Sequence, residues 1–144
     1  MKKTIFVILL IFLAIVVAIY MNYKELLAKQ SNAQKFNADF LFYNQEAVLG
    51  TSVTTVINKA FDNNEKCNIP KDENGEYKPD GKNSIKIYVH MLINDTTYPM
   101  EVLKKSGLEN FTNYFGEVEF KCTDVKFHTT TGRIAEMTFT ATQE

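Results

Sequence analysis

The sequence is short of several things that chemistry usually requires. It has two histidines, two cysteines and no tryptophan. His90 and His128 fall in separate segments, and neither has a second ligand at a metal-binding spacing. Neither a zinc set nor a histidine-based acid–base pair is therefore spelled out. No glycine-rich phosphate loop and no nucleophile elbow occurs. Glycine does not appear before Gly50, and no acidic residue precedes Glu25. Charge of either sign is missing from Thr4 to Tyr23, where neither Gly nor Pro interrupts the run.

That uncharged run is the most informative segment. A helix rises about 1.5 Å per residue, so about 20 apolar residues cross a hydrocarbon core of roughly 30 Å. A cleaved signal has a shorter apolar region, about 7–15 residues, ending in small residues. Here the core is followed by Ile19, Tyr20, Met21 and Asn22, and no cysteine stands close behind it for lipid attachment. Residues 4–23 are expected to be a retained transmembrane helix after a short basic tail, 1–3, with Tyr20 and Tyr23 in the far aromatic belt. Lys2 and Lys3 precede the span but Lys24, Lys29 and Lys35 follow it, so the charge count does not set the orientation. The short basic tail, like the start of a signal-anchor, and the compact domain beyond it give the expectation of an N-terminus inside and a domain outside the cell membrane.

Residues 24–144 are long enough for one domain, with 24–32 as a stalk. Beyond the span, 14 Lys and Arg face 17 Asp and Glu, a net of −3. That balance argues against nucleic acid and against docking on an anionic membrane surface. The lipid bilayer around residues 4–23 and protein partners in the membrane or envelope are the expected contacts. Cys67 and Cys122 are expected to pair as a disulfide in an oxidising compartment, the alternative being two separately buried thiols.

Periodicity supplies the fold. Ala33, Phe36, Phe40, Tyr43 and Ala47 recur every three or four residues, one stripe of a long helix that Gly50 would end. The stripe suits either a coiled-coil or filament seam or packing on the chain's own sheet. Thr51 or Ser52 is placed to cap a second helix, whose buried face is Val53, Val56, Ile57, Ala60 and Phe61. Asp62, Asn63 and Asn64 read as its end. Residues 69–83 form a loop punctuated by Asn74-Gly75 and Asp80-Gly81, with a solvated turn rather than a calcium site at Lys71–Tyr77.

Three strands follow. Ile85, Ile87, Val89, Met91 and Ile93 alternate, and so do Met137 and Phe139. Val118, Phe120 and Cys122 share a parity that Val125 and Phe127 break, which predicts a β-bulge at Thr123-Asp124 that keeps all five side chains, Phe127 included, on the core face. Gly132 allows a hairpin between the last two strands. Leu108, Phe111 and Tyr114 or Phe115 make a short amphipathic segment. The fold class is α+β: an N-terminal transmembrane helix continuing into a long helix, a second amphipathic helix, and a small antiparallel sheet of about three strands.

This layout resembles that of pilin-like and pseudopilin subunits, in which a hydrophobic N-terminal helix runs into a small sheet. The chain departs from them in lacking the Gly and Glu of the prepilin processing motif. "GTSVTTVINKAFDNNEK" and "FKCTDVKFHTTTGRI" are similar to segments of small, uncharacterised single-pass membrane proteins of Gram-positive bacteria. The resemblances imply no catalytic, cofactor-binding or metal residues. They imply a non-enzymatic structural, assembly or accessory subunit of an envelope complex. The alternative is a membrane-tethered module that binds a ligand or partner through its outer sheet face or loop 69–83.

Overall fold

The computed structural model describes residues 2–142. Helix α1 spans Lys2–Leu41, 40 residues, and is therefore about 60 Å long. Its apolar half touches nothing: the large side chains from Ile5 to Tyr23 are all exposed. By length and composition this helix is apolar enough to cross a membrane. Only its upper end packs on the domain, through buried Ala33, Asn37 and Phe40 and half-buried Phe36.

The expected stripe stops earlier than its spacing suggested. The helix ends at Leu41, a 3-10 turn follows over Phe42–Asn44, and Ala47 is exposed. Gly50 does not terminate it. Instead Gly50 opens α2 (Gly50–Lys66), and its backbone lies so close to the end of a later helix that a Cβ would sit 1.9 Å from the Phe115 carbonyl oxygen. Neither Thr51 nor Ser52 caps α2, because backbone carbonyls already do so. The Gly50 amide donates to Val118 O at 2.9 Å and the Thr51 amide to Gly116 O at 3.2 Å. Val53, Val56, Ile57, Ala60 and Phe61 form the buried face as expected. The helix runs on through Asn63 and Asn64 to Lys66, so those asparagines are not its end.

The sheet has five strands and is mixed, which corrects the expectation of about three antiparallel ones. They are β1 (Val48–Leu49), β2 (Lys86–Met91), β3 (Thr96–Pro99), β4 (Glu119–Phe127) and β5 (Ile134–Ala141). Their spatial order is β1-β4-β5-β2-β3, with β2 parallel to β5 and the other pairs antiparallel. Ile93 is 71% exposed because β2 stops at Met91 and the chain coils into a 3-10 turn over Leu92–Asn94.

The bulge stands where the parity slip put it, between Cys122 and Asp124. A second irregularity follows at Lys126/Phe127, where Ala135 is the extra residue on β5. This second slip undoes the expected burial of Phe127, which is 47% exposed, while Val125 stays partly buried against the core. Buried His128 takes an inward position instead.

Helices α3 (Met100–Ser106) and α4 (Leu108–Phe115) join α2 over the inner face of the sheet. Leu108 and Phe111 point into the core, with Phe115 beside it, and Tyr114 is 78% exposed. Ile85, Ile87, Val89, Phe120, Cys122, Met137 and Phe139 share one cluster with the α2 face and with Phe40 from α1. Each large apolar side chain in it contributes about 1.5–3 kcal/mol through burial. The result is two layers, helices on one side and the other side of the sheet uncovered.

Candidate functional site

The side of the sheet away from the helices is a surface of the domain that no helix covers. Register places its outward residues in rows. Lys126, Glu136 and Lys86 lie abreast on β4, β5 and β2. Asp124, Thr138, Tyr88 and Pro99 form the next row, and Lys121, Thr140, His90 and Thr97 the third. Cross-strand neighbours on one face are close enough to interact directly.

They do so in pairs. Lys126 Nζ meets Glu136 Oε2 at 2.7 Å, and Thr123 and Thr140 hydroxyls share a hydrogen bond at 3.0 Å. Lys86 Nζ donates to Glu76 Oε2 at 2.6 Å and lies 3.9 Å from Glu101. Burial alone would lower the pKa of the Lys86 ammonium, but the bond to Glu76 and the charge of Glu101 outweigh it and raise it. Burial raises the Tyr88 phenol against the opposing charge of Lys86. Both shifts are upward, so at neutral pH Lys86 keeps its charge and Tyr88 its proton, and the face presents paired charges and hydroxyls.

At one end of the face a cleft of about 330 Å³ opens beside Lys86, Tyr88, Lys126, Phe127, His128 and Glu136. Phe127, with Pro79 and Ala135, gives this cleft apolar walls beside the charges of Lys86, Lys126 and Glu136. Sequence reasoning placed Phe127 in the core, and the signal that would have moved it outward is the second parity slip: Ile134 is buried although Met137, Phe139 and Ala141 share the opposite parity.

The two histidines singled out from the sequence have separate surroundings. His90 lies on the outer face as expected, its Nδ1 3.0 Å from the Thr97 hydroxyl and its Nε2 3.5 Å from Asp95. His128 is buried beside the β4–β5 turn, with Nε2 2.8 Å from the Ser84 carbonyl oxygen. In this structure both cysteines are free thiols. Cys67, half-buried at the C-terminus of α2, donates to Asn63 Oδ1, while Cys122 is buried on β4 beside the Asp124 carbonyl. Burial raises the Cys122 thiol pKa.

Among the described residues no group of three or more His, Cys, Asp or Glu is placed to hold a metal ion. In the turn at 71–77, Asp72 spends one oxygen on the amides of Asn74 and Glu76, both at 2.9 Å. Gly75 supplies the positive φ of 84° that this tight turn needs.

Comparison with protein-family models, with curated proteins and with solved structures finds no match for the chain. What stands is the coarser description: a long apolar N-terminal helix, apolar enough for a membrane span, joined to a small mixed α/β domain.

Proposed function

We propose that the protein is a non-enzymatic accessory module, held at the cell membrane by residues 4–23, that presents the outer face of its sheet to a protein partner outside the cell. The observation that carries this reading is the fate of the helical stripe. Ala33, Asn37 and Phe40 are buried against the chain's own domain, and Phe36 is half-buried there. A helix seam used internally is not free to assemble a filament, so the pilin-like layout supports a tether rather than a polymer. The bare sheet face, by contrast, has no covering layer within the fold.

Its chemistry suits recognition better than catalysis. Lys86, Lys126 and Glu136 are already paired, so a partner meets fixed charges, and such charges set specificity and encounter rate more than raw affinity. Photo-crosslinkers at Lys121 and Thr138 on the face, and at Leu26 on the stalk, test the reading in full-length protein in membranes. Adducts of one defined mass from the face, absent from the stalk, are expected. A ladder of self-multimers from Leu26 would replace this reading with the assembly one.

A further inference from the structure

The second distinctive surface lies where α1 leaves the domain. A groove of about 410 Å³ is lined by Lys29 from α1, by Lys82 and Asn83 from the loop before β2, and by Thr130, Thr131 and Arg133 from the β4–β5 turn. Three cations line it and no carboxylate does, although the region beyond the span sums to −3. We propose that this groove binds the phosphate of an anionic phospholipid headgroup in the bilayer that α1 itself enters.

Position argues for that ligand first. Lys29 stands six residues beyond Tyr23, about 9 Å along the helix. Each headgroup layer is about 5–7 Å deep. The β4–β5 turn is at the membrane-proximal end of the domain, because Gly132 meets Ala33 and Asn37, the first docked residues of α1. The groove therefore opens just above the headgroups, and lysine stems reach toward an interface of this kind.

Construction argues second. The Arg133 guanidinium sits over the Phe36 ring, 3.5 Å from its centroid, while Nη1 donates to Asn83 Oδ1 at 2.6 Å and Nη2 to Asn63 Oδ1 at 3.4 Å. A guanidinium fixed in this way keeps its position, and its permanent charge stays at the groove wall. The turn and loop walls are joined by hydroxyl donors, Thr130 to Gly81 O at 2.6 Å and Thr131 to Lys82 O at 2.8 Å. Lys29 pairs with Glu25 at 2.8 Å, but both side chains are more than half exposed. Such an i,i+4 pair is weak enough to yield to a phosphate.

The summed charge of the domain hides this local asymmetry, which is why the sequence argued against an anionic surface. The proposal rests on a retained anchor and on no other part of the functional reading above.

The test uses the full chain, isotope-labelled, in lipid nanodiscs. Amide shifts of residues 130–133 are followed in phosphatidylcholine discs as phosphatidylglycerol is added, and separately with inorganic phosphate. Saturating shifts with phosphatidylglycerol are expected, with the midpoint raised about fivefold for each of Lys29→Gln and Lys82→Gln. Lys121→Gln, on the sheet face, should leave the midpoint unchanged. Equal shifts with inorganic phosphate would replace the headgroup by a free anion. Silence in every arm, or indifference to both lysine changes, overturns the groove. A chain that stays out of the discs overturns the anchor and this inference together, while silence from an incorporated chain leaves the anchor intact.

Discussion

At the scale of single residues, two asparagines do work that their position in a helix conceals. Asn64 is fully buried, and its Nδ2 donates to Ile85 O at 2.7 Å while its Oδ1 accepts the Ile85 amide at 2.8 Å. Asn37 repeats the pattern toward the β4–β5 turn, donating to Gly132 O and accepting from the Ile134 amide. Each satisfies one donor and one acceptor at a strand start that would otherwise be buried unpaired, at a cost of about 1–3 kcal/mol per group.

Asp80 does the same at the loop before β2. Its Oδ1 accepts the amides of Lys82, Asn83 and Ser84 at 2.7–2.9 Å. Burial pushes its pKa up, but these hydrogen bonds outweigh it and hold the carboxyl well below the usual carboxylate range. A depressed folded pKa means stability that is fully present above the unfolded value, about 3.9, and is lost as pH falls toward the folded one. The stability advantage of wild type over Asp80→Asn, measured by urea unfolding, should therefore shrink steadily between pH 5 and pH 2. An advantage that stays constant over that window would show that the charge on Asp80 contributes nothing.

At the scale of elements, what was legible in the sequence had enough length to declare a period. The α2 face, the β2 alternation and the bulge at Thr123 each rest on several consecutive positions whose burial follows one repeat. Strands β1 and β3 span two and four residues, too few for alternation to stand out, and exist because a longer strand lies beside them. The parallel pairing of β2 with β5 is likewise a long-range fact that no local window contains. The cleft wall at Phe127 was lost for the same reason, since its register depends on a bulge in the neighbouring strand.

Gly50 was misread because a glycine before a helix and one after a helix look alike in sequence. Its actual role predicts its sensitivity. A Cβ would lie 1.9 Å from Phe115 O and 2.7 Å from Phe115 C, both backbone atoms that cannot rotate away. Gly50→Ala must shift α2 off the end of α4, breaking the amide bonds to Val118 and Gly116. The loss should be about 3 kcal/mol in urea unfolding. Ser52→Ala should change stability by under about 0.5 kcal/mol, since Ser52 caps nothing. If the serine change costs the ~1 kcal/mol of a lost cap while the alanine at 50 is tolerated, the account of how α2 begins is wrong.

At the scale of the whole molecule, α1 is two things in one continuous helix. Its first part exposes an unbroken apolar surface that water does not tolerate, and its last two turns are wedged into the domain. In the membrane-anchored reading proposed above, a rod of that kind fixes which end of the domain faces the bilayer, and the two cysteines supply a native reporter of which side the domain is on. Cys67 is half-buried at the end of α2, whereas Cys122 is buried on the core face of β4 with its thiol pKa raised by burial. A thiolate is the reactive species, so the two should differ strongly in reaction with a maleimide. In intact cells a membrane-impermeant maleimide should label Cys67 and leave Cys122 untouched until the domain is unfolded, with the protein staying in the membrane pellet through a carbonate wash. Labelling of Cys67 only after lysis would place the domain inside. Labelling only after reduction would show Cys67 in a disulfide, and a non-reduced peptide mass joining Cys67 to Cys122 would then tie α2 covalently to β4.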